Sequence, residues 1–449
     1  MDKSPAHKNL RLVLLILAGI AYLEIYWRGL LIFGRVVIDG DALPYYYPNW
    51  AIGKRLLLDN CSFLWDPYRN MGQPFLADPR NQALYPLRWL SVFFDYVDYQ
   101  RIYVVFHSIL AAGSGFLLMR RLRPQVSAAL LAGLGLAFNG YAYWRILYSA
   151  DLATLAWMPA AFYCLLRQRP WALAAVLTLQ WFSGFTPYCL LTAAALLAYA
   201  LADDEPRASL ICLVKGWGGM LGLSAIQFLP FLELLRHIDR PVLLDKALAL
   251  ENSLSWKDMF RQLFTPACLR PWVLDGAPAL SSFYFGPVLL GLFIWGVVRG
   301  GGRERRWAAL ALAALALAAG RNLPGYSYIP FITVFRFPSQ WLAVFCFFFV
   351  LVSACGLSRV RRPVLRLMGL VLVAADLLLY ASPSYFNWAD SEFFGSVPRL
   401  AAGVDLADTR QRVFHSKRLI ERSASWWRRS LSDWQLFKAM LHPSFGAAL

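Results

Sequence analysis

Acidic side chains are scarce in this sequence: 27 Asp and Glu stand among 449 residues, against 44 Lys and Arg. Charged residues of both signs make up only 16% of the chain, where a soluble protein carries about 25%. Histidine is rarer still at 5, and the 7 cysteines form no CxxC pair and no zinc spacing. GxxxxGKS/T, GxSxG, HExxH and haem-attachment patterns are all missing. These absences exclude a disulfide-built secreted scaffold, a zinc module, a nucleotide-driven pump and a soluble multidomain enzyme.

What fills the space is apolar. Hydrophobic residues reach 59% and run in blocks at 10–33, 101–119, 126–142, 150–166, 171–184, 187–202, 208–232, 283–298, 307–320, 340–357 and 364–381. Most of these blocks are long enough to cross a bilayer as helices. The pattern predicts an all-α polytopic membrane protein of about eleven spans. Blocks 171–184 and 307–320 give helices of only about 20 Å. Either they are half-spans buried by protein, or the number of spans differs there, within 10–13.

The net charge of +17 follows the same logic. Arg120, Arg121 and Arg123, Arg167 and Arg169, Arg299, Arg303, Arg305 and Arg306, and Arg359, Arg361, Arg362 and Arg366 sit in short loops after alternate blocks. That is the positive-inside distribution, with Lys3, Lys8 and Arg11 placing the N-terminus inside. The basicity therefore reads as topology, and no nucleic-acid motif accompanies it. The first block reads as an uncleaved anchor.

Alternation leaves the long segments 34–100, 233–282, 321–339 and 382–449 on the outer face. The chain thus divides into a membrane domain, 1–381, and an outer tail, 382–449, in which 423–441 patterns as an interfacial amphipathic helix. Cys61 and Cys268 alone lie well outside the spans, which allows at most one disulfide.

The first outer loop carries the densest chemistry. It opens Asp39-Gly40-Asp41 and continues through Pro44-Tyr45-Tyr46-Tyr47-Pro48 into an amphipathic stretch at 49–59. A second interfacial segment spans 85–94. A carboxylate at the bilayer edge can act as general base, because desolvation raises its pKa toward neutrality. Two at this spacing can instead share a divalent cation, Mg or Mn, with a phosphate. The structural alternative is that both merely cap a turn. The tyrosines suit either an interfacial belt or a sugar-stacking platform.

Other polar groups near the outer boundary have similar pairs of readings. Arg336, in Phe335-Arg336-Phe337-Pro338, needs an anion in its apolar setting, either a lipid-linked phosphate or a phospholipid headgroup. Glu233 and Arg236 fit an i, i+3 pair on the last turn of a span. His107 can relay a proton or simply bond a neighbouring helix. Asp151 fits a helix start with Arg145 as partner, and Asp376, deep in the last block, needs a partner of its own.

The order of these pieces resembles the bacterial YfhO family, within the GT-C class of membrane glycosyltransferases. The likeness runs over roughly residues 10–390. It rests on Asp41 to Pro48, Trp65 to Pro74, Ala77 to Pro86, His107, Phe138-Asn139-Gly140, Trp157-Met158-Pro159, Gln227 to Glu233, Tyr284-Phe285-Gly286-Pro287, Phe335 to Pro338 and Ala375-Asp376-Leu377. The resemblance implies a GT-C bundle whose large first outer loop carries two juxtamembrane helices. It implies an enzyme of the bacterial cytoplasmic membrane that moves a sugar from a polyprenyl-phosphate carrier to an envelope lipid or polymer on the outer face. Asp41 matches the catalytic position, with Asp39 second. Arg336 and Arg80 become candidate ligands of the donor phosphate, and Tyr45, Tyr46, Trp65, Asp78, His107 and Glu233 candidate substrate contacts. A non-catalytic GT-C-like subunit or a lipid-carrier transporter is the rival reading, and the lack of a compelling acidic pair and the short outer tail are its main support.

Overall fold

The computed structural model describes residues 5–59, 63–69, 72–238, 249–265, 281–329, 334–382 and 386–395, with side chains from residue 16 onward. Cys61, Cys268, Asp239, Arg240 and the amphipathic stretch of the tail lie outside the described residues.

Every apolar block falls on a helix. The longer helices are α1 (Pro5–Tyr26), α2 (Tyr47–Leu58), α3 (Tyr96–Leu122), α4 (Val126–Ala137), α5 (Ser149–Leu166), α6 (Pro170–Phe182) and α7 (Thr186–Leu201). They continue with α8 (Pro206–Leu234), α9 (Trp256–Phe264), α10 (Gly286–Arg299), α11 (Gly302–Ala318), α12 (Leu342–Ser358) and α13 (Pro363–Ala381). Among the described residues, six helical stretches are long and apolar enough to cross a membrane by length and composition. Proline stands within the first turn of α6, α7, α8, α10 and α13. There its missing N–H would have had no intrahelical partner.

Helix α12 is the axis of the bundle. Each residue from Leu342 to Leu357 is buried, as expected of a helix that is apolar on all sides. It packs against α4, α10 and α11, while α3 pairs with α4 and α5, and α6 with α8. Helices α8 and α13 turn Leu223, Ile226, Leu229, Val364, Leu367 and Val371 outward. An apolar outer surface of this kind needs lipid around it. The protein is a multi-pass membrane protein.

The loops sort to two ends. At one end Glu304, itself buried, is paired to both Arg123 and Arg359. Asp204 is held there by Arg303 at 3.2 Å and Arg306 at 2.5 Å. Charged loops far apart in sequence therefore meet at the end that the charge rule assigns to the cytoplasm.

The opposite end carries the first loop. Strand β1 (Val36–Val37) pairs antiparallel with β4 (Trp388–Ala389), in register Val36 to Ala389. A small hairpin pairs β2 (Trp65–Asp66) with β3 (Gln73–Pro74). The expected first juxtamembrane helix is α2. The second interfacial segment contracts to one α turn, Pro86–Trp89, followed by a 3₁₀ turn, Leu90–Val92. Buried Arg88 reaches back across it to the carbonyl of Asn49 at the start of α2.

Candidate active site

The site is built around the turn at Asp39-Gly40-Asp41. Gly40 adopts φ +58°, a conformation that favours glycine. Its missing Cβ would lie 3.6 Å from both Leu147 and the Tyr148 hydroxyl. The turn is thus seated on the junction that leads into α5. From there the chain makes a wide π turn, Ala42–Tyr46, in which the N–H groups of Tyr45 and Tyr46 both donate to the Asp41 carbonyl at 3.1 and 3.0 Å. Pro44 lies within the first turn of this stretch and Pro48 within the first turn of α2, where no intrahelical donor is lost.

The two aspartates take different roles. Asp39 accepts from the backbone N–H of Asn387 at 2.6 Å and from its side-chain amide at 2.8 Å. Its carboxylate therefore fastens the segment after α13 to the first loop. The Asp41 side chain caps nothing, and its carboxylate makes no hydrogen bond or ion pair among the described residues. It is half-buried. Burial pushes its pKa above the ordinary carboxylate value, and Arg80 and Arg336 pull partly the other way. A half-buried carboxylate whose pKa is raised by burial is a candidate proton acceptor.

Arg80 is positioned by a chain of polar contacts. Asp78 caps the turn Pro79–Asn81 by accepting from the Arg80 N–H at 3.0 Å. Gln82 donates to the Ser183 carbonyl at 2.5 Å and to the Tyr103 hydroxyl at 2.7 Å. Gly184, at φ +107°, lets the turn between α6 and α7 lie against the Pro79 carbonyl, where a Cβ would come to 2.7 Å. The Arg80 guanidinium then sits 5.5 Å from the Phe185 ring and 6.0 Å from that of Tyr45. Burial opposes its charge, yet Tyr45, Tyr46, Asp151 and Asp78 outweigh that and raise its pKa. It is a fixed cation.

Beneath lies a second ion pair. Arg145 and Asp151, both buried, stand 3.5 Å apart. Arg145 also donates to the Tyr188 hydroxyl at 3.2 Å and lies 4.5 Å from the Tyr141 ring. Arg336 closes the cluster from the other side. It is 2.9 Å from Glu251 and stacked over Phe337, so the anion expected from the sequence is already supplied within the chain.

The remaining candidates lie apart from this cluster. Trp65 is half exposed in the hairpin, where its ring covers Gly72. Glu233 is exposed, and its expected pair with Arg236 is a backbone bond, Arg236 N–H to Glu233 C=O at 3.0 Å. His107 is wholly buried. Its Nδ1 lies 2.6 Å from the Tyr103 carbonyl, which can only accept, so Nδ1 carries the proton. Nε2 then accepts from the Tyr85 hydroxyl at 2.6 Å. The imidazole fastens the first loop to α3, bonding Tyr85 of the loop and a carbonyl of its own helix rather than a neighbouring helix.

No protein-family model matches the chain, and no curated protein matches it. A solved structure does. The crystal structure of the Archaeoglobus fulgidus oligosaccharyltransferase, tethered with an acceptor peptide containing the NVT sequon, superposes with a TM-score of 0.50 at 13% identity. The match covers 94% of this chain and 59% of that one, so the chain spans well under two thirds of its neighbour's length. The shared fold is GT-C.

Within this fold, the charges acting on Asp41 come from Arg80 of the first loop and Arg336 at the α12 entry, with Asp151 at the α5 entry coupled to it. Sequence reasoning did not connect Arg145 and Asp151 to Asp41, and it did not find Glu251 or Asn387. Glu251 and Asn387 are short polar interruptions in long outer segments, and spacing alone gives no signal for them.

Proposed function

We propose that the protein is a glycosyltransferase that moves a sugar from a polyprenyl-phosphate carrier to a lipid or polymer of the cell envelope, at the outer face of the bacterial cytoplasmic membrane. One observation carries the reading: Asp41 is a half-buried carboxylate without a partner, under the influence of Arg80 and Arg336. The likeness of fold to an oligosaccharyltransferase supports the same class of chemistry.

In this mechanism the acceptor hydroxyl donates its proton to Asp41 as its oxygen bonds to the anomeric carbon. The bond from that carbon to the phosphate oxygen breaks, with positive charge building on the ring as in glycosidases. Charge arriving on the departing phosphate is met by Arg80 and Arg336, whose guanidinium groups match phosphate oxygens. The Arg336–Glu251 pair is part-exposed, and such pairs contribute only about 0–1 kcal/mol. A phosphate can displace Glu251 at little cost.

The residues present do not suit a divalent cation. Both Asp39 oxygens accept N–H groups from Asn387. Among the described residues, no three His, Cys, Asp or Glu side chains gather to hold a metal. Stabilisation of the leaving group is therefore assigned to the arginines.

The test is transfer from a labelled polyprenyl-phosphate sugar by the purified protein in proteoliposomes. Wild type transfers. Arg336→Lys keeps the charge but loses the planar fork, and transfer should fall by at least about tenfold while the protein still folds. Full activity in Arg336→Lys and Arg80→Lys together would remove phosphate recognition from these residues. The filled Arg336–Glu251 pair favours the rival reading, a GT-C-like subunit without catalysis. In that case the protein copurifies with stoichiometric partners in mild detergent and transfers nothing.

A further inference from the structure

Beside the outer end of α1 lies a cavity of about 220 Å³ that the reaction described above does not use. Arg28, Arg35, Trp27, Phe33, Tyr143 and Trp388 line it. That volume is more than ten times the roughly 10–15 Å³ that a single water occupies on this measure. The cavity is made by the return of the chain after α13: Trp388 lies over Gly29, where an added Cβ would come within 2.7 Å of the indole.

Its electrostatics are one-sided. Neither Arg28 nor Arg35 forms an ion pair among the described residues. The carboxylates nearest in sequence do not neutralise them. Asp39 is bound to Asn387, Asp98 is paired with Arg101 at 2.5 Å, and Glu24, one turn before Arg28, is exposed and makes no pair. Arg101, paired with Asp98, also reaches the carbonyl of Leu30 at 3.1 Å, which leaves Arg28 and Arg35 as the cations of the cavity without an ion-pair partner among the described residues. Two arginines among the aromatic walls of one cavity, with no carboxylate in its lining, call for an anion.

The surroundings identify what kind. Ile25, Ile32 and Phe33, on either side of the arginines, are exposed apolar side chains. They lie where α1 leaves the apolar belt, so the mouth borders on lipid tails. Indole and phenol rings lining the cavity suit the headgroup level of a bilayer. We infer that this cavity binds the phosphate headgroup of an anionic membrane phospholipid, with its diester oxygens between Arg28 and Arg35 and its acyl chains along Ile25, Ile32 and Phe33. Such a lipid would hold the α1 end, β1 and β4 together without entering the transfer reaction.

Native mass spectrometry of the delipidated full-length protein tests this, using phosphatidylglycerol, phosphatidylcholine and a polyprenyl monophosphate as probes. Wild type should retain phosphatidylglycerol roughly tenfold better than phosphatidylcholine. Arg28→Gln with Arg35→Gln should erase the difference, and Arg28→Lys with Arg35→Lys should keep most of it. Arg35 is exposed, so Arg35→Glu alone should fold and still expel the anionic lipid, which covers the case in which the double Gln variant is unstable. Equal phosphatidylglycerol retention by wild type and Arg35→Glu would overturn the assignment. So would dependence on these arginines for the polyprenyl phosphate but not for phosphatidylglycerol, which would make the cavity a donor site. Complete displacement of the lipid by millimolar inorganic phosphate would overturn it too, reassigning the cavity to a soluble anion.

Discussion

At the scale of single residues, two aspartates separated by one glycine differ in their surroundings: Asp39 is tied to Asn387, and Asp41 carries the proposed chemistry. Asp39 accepts two N–H groups, so Asp39→Ala strands the donors of Asn387 and should cost about 1–3 kcal/mol of stability. Thermal unfolding in detergent measures it. Asp41 should behave in the opposite way. Its folded-state pKa is raised by burial, so folding favours the neutral acid. The stability this provides is complete below the ordinary carboxylate pKa and is lost as pH rises through the folded value. Asp41→Asn should therefore unfold at the same temperature as wild type, or higher, near neutral pH. Activity has the reverse dependence, because only the ionised carboxylate accepts a proton. Transfer should fall as the medium is acidified through a midpoint above the usual carboxylate range, read from a pH–rate profile.

At the scale of elements, close helix contacts rest on glycine. Gly356 of α12 and Gly296 of α10 face one another so tightly that a Cβ on Gly356 would land on the Leu292 carbonyl, and one on Gly296 on the Val352 carbonyl. Gly356→Ala should force these helices apart at a cost of about 1–3 kcal/mol, seen as a lowered unfolding midpoint, whereas Gly291→Ala, with open space around it, should not. The helices themselves were legible in the sequence because a bilayer demands long apolar runs, and hydropathy records them directly. Their partners were less so. Asp376 was recognisable as an acid deep in an apolar block and in need of a partner, and Tyr284 as part of a motif. That the Tyr284 hydroxyl donates to Asp376 at 2.8 Å follows only from the packing of α10 on α13. The segment 85–94, expected from the sequence as a second interfacial segment, forms only short turns, and its Arg88 guanidinium turns inward to the start of α2.

For the whole molecule, the separation of two ends follows from charge. The loops rich in arginine converge through Glu304 and Asp204, while Asp41, Arg80 and Arg336 gather at the far end. With Cys61 and Cys268 replaced, a cysteine at the exposed Tyr328 should react with an impermeant maleimide on intact cells, and one at Gly302 should not. Reversed labelling would turn the candidate site toward the cytoplasm. Composition, block lengths and loop charges were enough to read the bundle. The site was legible only in its first-loop members, since Asp41, Tyr45, Tyr46 and Arg80 share one stretch of chain. What surrounds them comes from Phe185, Asp151 and Glu251, brought close by folding alone.

The account stands most directly on Asp41. Sugar transfer from a labelled polyprenyl-phosphate donor should be measured for wild type, Asp41→Asn and Asp39→Asn in proteoliposomes, alongside their unfolding midpoints. General base catalysis is typically worth about 10²–10⁴-fold. Asp41→Asn should lose at least roughly a hundredfold in transfer with its stability intact, while Asp39→Asn should lose stability more than rate. Undiminished transfer by a folded Asp41→Asn protein would contradict the assignment of Asp41 as the base.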